Sequence, residues 1–283
     1  YDLPNDLAYA ETCASIGLVF FARRMLQADF DSKYADIMER CLYNSILSGM
    51  AEDGKSFFYV NPLEVNPDAS KTDSRKSHIK PVRQKWFDCA CCPPNLARII
   101  SDYGEYCFTE TEDTIFINLY QSADIKTDKA DIKIISDYLN SGKVSFKIKA
   151  KKAFNLSLRI PYWSSHFTFS KENPFIKKGY AYFDISDENE ITAEFNPEIK
   201  IIKCNSNVRE NIGRIAVTRG PIVYCLEEKD NGKNLHLLRL SQKPKFSFNG
   251  EFITANGYRE KIPSERLYSE FKNAFEKPVR LKF

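Results

Sequence analysis

The sequence has no apolar run long enough to cross a bilayer. The longest, Ala14 to Ala22, falls well short of the roughly 20 residues a membrane helix needs. No signal peptide is visible, no repeat of fixed period occurs, and no low-complexity tract interrupts the chain. Charge of one sign is also missing. Lys plus Arg is 41 against 38 Asp plus Glu, a net +3 that gives no argument for nucleic acid or an anionic membrane as partner. Histidine is scarce, and the 3 present, His78, His166 and His236, are scattered. There is no initiator Met. The chain opens at Tyr1 with Asp2-Leu3-Pro4-Asn5-Asp6 behind it, which leads us to expect a piece of a longer protein. What remains is an ordinary globular composition, 43% hydrophobic and 28% charged. A mostly disordered chain is thereby excluded, and 283 residues are comfortable for two domains.

Against these absences stand 8 cysteines, too dilute for a secreted disulfide scaffold. Three of them crowd into Cys89-Ala90-Cys91-Cys92. Adjacent cysteines do not readily pair with each other, so the cluster points to metal or redox chemistry before structural bridges. Free thiols also lean toward a cytoplasmic setting.

The first third reads as helical. Thr12 to Gln27 is apolar nearly all round and is expected to be a buried helix, with Thr12 a candidate N-cap. Asp31 or Ser32 is a cap for a second helix, Lys33 to Ser48, where Tyr34, Ile37, Met38, Cys41, Leu42 and Ile46 recur at helical spacing and Gly49 stops the run. Phe57 to Val60 suggests a short strand ended by Asn61-Pro62, and residues 64 to 80 suggest a loop. Pro93-Pro94 can open a third helix running to about Cys107. From about residue 109 the texture is β. Thr114 to Tyr120 is strand-like, and Val144–Lys149, Leu156–Ile160 and Ile191–Phe195 alternate at period two, with turn signals at 140–142, 178–179 and 187–189. We expect an antiparallel sandwich there, and a further β segment from Gly213, with strands at 214–217 and 222–224 broken by Gly220-Pro221. Lys147, Lys149, Lys151 and Lys152 are best read as a solvated strand face.

Two constellations carry chemistry. In Cys91-Cys92-Pro93-Pro94-Asn95, two thiols precede a helix N-terminus, whose free N–H groups favour the thiolate. A thiolate is both a nucleophile and a zinc ligand. The plain alternative is a pair of core cysteines. In Glu11-Thr12-Cys13, residues i and i+2 would not face each other inside a helix, but across a cap they can converge on one point. Together the two motifs offer four ligands, the number tetrahedral Zn²⁺ takes, at a spacing matching no common zinc finger. Glu39 and Tyr43, off the apolar stripe of the second helix, read on their own as solvated surface. Tyr59 reads as ordinary packing, and His78 as a loop residue near Trp86 and the cysteines.

Asp2-Leu3-Pro4-Asn5 with Ala10-Glu11-Thr12-Cys13-Ala14-Ser15, Met38-Glu39-Arg40, Phe58-Tyr59-Val60-Asn61-Pro62-Leu63-Glu64, Trp86-Phe87, Cys91-Cys92-Pro93-Pro94-Asn95 and Arg219 to Glu227 together resemble the zinc-dependent β-L-arabinofuranosidases of glycoside hydrolase family 127 and its relatives. The likeness covers most of residues 1 to 125 and returns at 212 to 228. It implies an α+β chain: the last helices of an (α/α)₆ barrel in residues 1–108, then two antiparallel β-sandwich domains, 109–212 and 213–283, the second complete or incomplete. Glu11, Cys13, Cys91 and Cys92 match the zinc ligands, Cys91 matches the nucleophile, and Glu39 and Tyr59 match positions that line the sugar pocket. The family's general acid is a glutamate slightly upstream of Asp-Leu-Pro-Asn, which no residue here can match; several pocket histidines would lie upstream as well.

The expectation is therefore part of a retaining glycosidase that releases terminal β-L-arabinofuranose through a zinc-bound cysteine, with little activity of its own. Its partner would be an arabinofuranose-containing oligosaccharide or glycoconjugate, with no nucleic acid, no membrane, and a homodimer as one candidate assembly. A relative acting on another pentose-like sugar is the nearest alternative. A non-catalytic carbohydrate-binding or structural protein, with zinc tying helices together, is a different class; the upstream glutamate discriminates. A thiol redox protein lacks the βαβ pattern it would need.

Overall fold

The computed structural model describes Asp2, residues 4–260 and residues 276–282, the last by backbone alone. Leu3 of the opening motif and residues 261–275 of the expected last domain lie outside the described residues. The chain is α+β, with few helices and several largely antiparallel sheets. It divides into two compact units, residues 1–198 with 204–213, and residues 199–203 with 214–283. No helix among the described residues is long and apolar enough to cross a membrane.

In the first unit, helix α1 (Thr12–Ala28) packs Ile16, Val19, Ala22 and Leu26 against α2 (Ser32–Cys41). It is not buried all round, as its composition suggests. Leu18 is 43% and Phe21 61% exposed, because no described element covers that face. Nor is Thr12 the cap. Glu11 takes the extended cap conformation, and the Thr12 hydroxyl turns away to donate to the Phe58 carbonyl at 2.7 Å. Asp31 caps α2 as expected, accepting from the Lys33 N–H. The second helix does not run evenly to Ser48. At Leu42–Leu47 it widens into a π-helical turn. There the Asn44 amide and the Ser45 hydroxyl donate to the carbonyls of Arg40 and Cys41, competing with the regular i−4 bonds.

Residues 57–60 form no strand. Phe57 bridges Met50 and Gln84 while Val60 bridges Glu11, so the segment is shared among partners and no ladder builds. The stretch expected as a loop holds a short helix, α3 (Ala69–Thr72), and a 3₁₀ turn, Ser74–Lys76. The third long helix is split into α4 (Cys92–Ser101) and α5 (Gly104–Cys107). The Ser101 hydroxyl bonds back to Ala97, and the chain leaves helical geometry at Asp102.

A two-sheet sandwich follows. One sheet orders β1 (Phe108–Glu110), β2 (Thr114–Ile117), β6 (Phe154–Arg159), β9 (Tyr180–Ile185) and β8 (Phe175–Lys177). The other orders β3 (Ala123–Lys126), β4 (Ala130–Asp137), β5 (Lys143–Ala150), β10 (Asn189–Phe195) and β7 (Phe167–Phe169). Inward residues such as Ile117, Ile132, Val144, Phe146, Leu156, Phe183, Ile191 and Phe195 fill the space between. Lys147 and Lys149 alternate with buried Phe146 and Ile148 and face solvent. One pairing departs from the antiparallel expectation: β2 and β6 run parallel. The chain leaves the first sheet after β2, lays down three strands in the second, and returns, which supplies the long crossover a parallel pair needs.

The second unit holds β11 (Ile199–Ile202), β12 (Ala216–Arg219) and β13 (Ile222–Tyr224) in one sheet. The other contains β14 (Leu238–Leu240), β16 (Phe252–Arg259) and β15 (Phe246–Phe248), with β17 (Glu276–Lys282) paired to β16. The Arg219 guanidinium lies 3.9 Å from the centre of the Phe248 ring.

Candidate metal centre

Four side chains from two helix N-termini meet at one point. Glu11 caps α1 and Cys13 lies in its first turn; Cys91 caps α4 and Cys92 is its first residue. Their ligand atoms all fall within 4.8 Å of one another. Cys13 Sγ is 3.5 Å from Cys92 Sγ, Cys91 Sγ is 3.7 Å from Cys92 Sγ, and Cys91 Sγ is 3.7 Å from Glu11 Oε1. Tetrahedral zinc, with bonds of about 2.0–2.3 Å, separates its donors by about 3.3–3.8 Å. These three separations fall in that range, and the donor set, three soft sulfurs and one carboxylate, suits that ion. The thiols are free of disulfides.

The local chain explains the convergence. Thr12 N–H donates to the Tyr59 carbonyl at 3.0 Å, and the Asn61 amide reaches both the Ala10 carbonyl (3.0 Å) and Thr12 Oγ1 (3.2 Å). These bonds staple the Glu11–Cys13 turn to residues 58–61. Gly49 seats against the same turn. A Cβ there would stand 2.8 Å from the Ser45 carbonyl oxygen and 3.2 Å from Thr12 Oγ1, so nothing larger fits without a shift. Ala10, just before Glu11, holds φ at 34°, and Asp88, just before the cysteine run, at 56°. Left-handed backbone of this kind costs L-residues about 1 kcal/mol or more and gathers at functional sites.

Electrostatics fit the same picture. Burial, followed by hydrogen bonds with Cys13 and Cys91, pushes the Cys92 thiol well above its ordinary range. A divalent cation reverses that preference, since a coordinating thiol is deprotonated outright. Cys91 itself stands at the N-terminus of α4. The Asn95 amide donates to Cys13 Sγ at 3.3 Å, which fixes that sulfur. Hydrogen bonds with Tyr9 and then Cys91 hold the Tyr59 phenol well above its usual range.

Of the residues singled out in the sequence, the structure thus gathers Glu11, Cys13, Cys91 and Cys92, with Tyr59 beside Cys91. His78 packs against Tyr9, ring centres 5.3 Å apart, and Tyr9 meets Tyr59 edge-on at 6.2 Å. His166 and His236 are exposed in the β regions. Glu39 is not with this group. It is 1% exposed, and its carboxylate bonds to Arg159, Tyr138 and Trp163. A solvated helix surface is therefore excluded for Glu39, and Tyr43 is buried too. Sequence reasoning missed Tyr9, Gly49, Asn61 and Asn95 as supports of the site. Asn61 and Asn95 lay inside motifs already singled out, and only their partners were illegible.

Comparison with known proteins gives a consistent setting. Residues 1–105 match the description "Beta-L-arabinofuranosidase, GH127 catalytic domain". Residues 114–190 match the GH127 middle domain and residues 199–267 the glycoside hydrolase family 127 C-terminal domain. The non-reducing end beta-L-arabinofuranosidase of Bifidobacterium longum subsp. longum is 35% identical over 256 residues, 85% of this chain and 39% of that protein. Among solved structures, a GH127 beta-L-arabinofuranosidase from Geobacillus stearothermophilus T6 matches with a TM-score of 0.90 at 45% identity, covering 99% of this chain and 48% of that one. A second GH127 beta-arabinofuranosidase matches with a TM-score of 0.83 at 32% identity, covering 99% and 47%. The chain spans about half the length of these relatives, or less.

Proposed function

We propose, from the premise that this chain belongs to glycoside hydrolase family 127, that it carries the nucleophile half of a retaining glycosidase releasing terminal β-L-arabinofuranose. The observation that carries the reading is the convergence of Glu11, Cys13, Cys91 and Cys92, with Tyr59 packed in the same core cluster as Cys91. We read residues 1–108 as part of an (α/α)₆ barrel, 109–212 as a first sandwich domain and 213–283 as a second.

Cys91 is the most accessible route to chemistry in the cluster, because Cys92 is fully buried and Cys13 is held by Asn95. Its sulfur attacks the anomeric carbon as the carbon–oxygen bond to the leaving group breaks, and the departing oxygen takes a proton from a general acid. Water then attacks the same carbon, the carbon–sulfur bond breaks, and the proton of the water goes to the group that served as acid. Two inversions give net retention. Glu11, Cys13 and Cys92 would hold zinc together with Cys91. When bound, it would keep the Cys91 sulfur ionised and ease its departure in the second step. Tyr59 orients the sulfur by hydrogen bond, and the rings of Tyr9 and His78 give that side of the site an aromatic surface suited to a sugar or its aglycone. The acid is not among the gathered residues; the family resemblance assigns it to a glutamate upstream of Asp2.

A thiol-directed arabinofuranose electrophile tests the reading in the protein that carries this chain. The adduct is expected on Cys91 by mass spectrometry. An adduct on Glu11 would replace the thiolate mechanism with a carboxylate one.

A further inference from the structure

The first unit contains a second polar cluster, which the proposed chemistry does not use. Arg159, at the end of β6, is completely buried. Its Nε donates to the Asn118 carbonyl at 2.6 Å. Nη1 donates to Asp36 Oδ1 at 2.6 Å and to Glu39 Oε2 at 3.4 Å; Nη2 donates to Glu39 Oε1 and to the Tyr138 hydroxyl. The Tyr138 hydroxyl donates in turn to Glu39 at 2.7 Å, and Trp163 Nε1 donates to its other oxygen at 3.2 Å. The five N–H bonds of the guanidinium thus all have acceptors. A sugar hydroxyl has no opening to Glu39, because both carboxylate oxygens are engaged inside the protein.

This cluster joins the sandwich to α2, and it is the middle of three grips. At the start of α2, Ser32 N–H donates to the Lys178 carbonyl at 2.9 Å, and Lys178 pairs with Asp29. Gly179, with φ at 74°, sits so close that a Cβ would be 1.9 Å from Ser32 Oγ. Beyond α2, the Gln121 amide donates to the Tyr43 hydroxyl on the π-helical turn. The turn leads directly to Gly49. There the Gly49 carbonyl accepts from Phe58 N–H at 2.7 Å, the Phe58 carbonyl accepts from the Thr12 hydroxyl at 2.7 Å, and Gly49 leaves room for Thr12, between the ligands Glu11 and Cys13, where a Cβ would stand 3.2 Å from its hydroxyl.

We propose that the first sandwich is a positioning element for the metal centre: Arg159 fixes Glu39 and Asp36, and through α2, the π-helical turn and Gly49 it aims Glu11 and Cys13. Glu39 is on this account a positioning residue and not a sugar ligand. The inference rests on the metal reading above, because it concerns the aim of the metal ligands.

The test measures zinc affinity by competition with a chromogenic chelator, on the protein that carries this chain, at a temperature where near-ultraviolet dichroism reports every variant folded. Arg159→Met should weaken zinc binding about tenfold, the scale of groups that orient metal ligands from behind. Tyr138→Phe removes one hydroxyl from the cluster and serves if Arg159→Met fails to fold. It should weaken binding about twofold to threefold, a fraction of that range. Lys143→Ala, which breaks an exposed pair with Glu194 on the same sandwich, should leave affinity unchanged. Unaltered zinc affinity in folded Arg159→Met and Tyr138→Phe, with only the melting temperature lowered, would overturn the positioning role and leave the metal reading intact. A wild-type protein that binds no zinc would overturn the metal reading itself and the inference with it.

Discussion

Two polar clusters in one compact unit are built on opposite plans. The cysteine–glutamate cluster sits on helix ends and irregular chain, is only partly buried, and is flanked by two non-glycine residues at positive φ. Its sulfurs face one another at separations that could admit a cation. The Arg159 cluster is buried except for a partly exposed Asp36, hangs on a regular strand and a regular helix, and has its donors and acceptors matched within the protein. One cluster gathers ligand atoms that could hold a metal ion, and the other pairs its charges with one another. The first joins two helix starts at one point, and the second joins a strand to a helix.

The largest expected effect breaks the first cluster. Cys91→Ala in the protein that carries this chain should lower turnover at least about 10⁴-fold, as losing a nucleophile does, while leaving circular dichroism unchanged. Cys91→Ser should fare nearly as badly, because a hydroxyl needs a base to activate it. Steady-state kinetics on an arabinofuranoside measures both, and activity retained in Cys91→Ala would remove it from the chemistry.

Next comes the joint. Arg159→Met leaves Glu39 and Asp36 buried without their cation, a change that typically costs about 3–5 kcal/mol. Arg159→Met combined with Glu39→Leu should recover a good part of that loss in urea unfolding, since no unpaired Glu39 charge is left behind. Equal costs for the single and double variants would mean that packing, not charge, makes the joint.

Gly49→Ala sharpens the link between the two clusters. The added methyl meets the Ser45 carbonyl and Thr12, so a loss of about 1–3 kcal/mol is expected. Zinc affinity should drop in the same variant, because Thr12 lies between two ligands. Thermal unfolding and chelator competition read the two effects separately.

The smallest effect concerns the cap of α2. Burial opposes the charge of Asp31, but the side-chain and backbone hydrogen bonds of Lys33 prevail and bring its carboxyl below the ordinary value of 3.8. A lowered carboxylate stabilises the fold above its unfolded pKa, and the contribution is lost as pH falls through the folded one. Asp31→Ala should therefore cost about 1 kcal/mol near neutrality, and the gap to wild type should close as pH falls below 3.8. A gap that persists undiminished at lower pH would assign the effect to helix propensity instead.

The two clusters also differ in how far the sequence announces them. Glu11-Thr12-Cys13 and Cys91-Cys92-Pro93-Pro94 are short local motifs, and a cap and a helix start suffice to suggest that they converge. Arg159 and Glu39 are 120 positions apart, in elements of different type, and neither stands in a motif that names the other. Read along its helix, Glu39 belongs on the solvated face, and only the sandwich packed there makes that face interior. The strands of the sandwich were legible from their alternation. The parallel pairing of β2 with β6 was not, because it depends on where the chain returns after visiting the other sheet. The π-helical turn was hidden for a related reason: Asn44 and Ser45 bond back to the helix without disturbing its apolar spacing.

Elemental analysis of the protein that carries this chain, purified without added metal, tests the central claim most directly. The account predicts about one zinc per chain in the wild type and its loss in the combined Cys13→Ser and Cys92→Ser variant. Zinc content left unchanged by that pair of substitutions would contradict it.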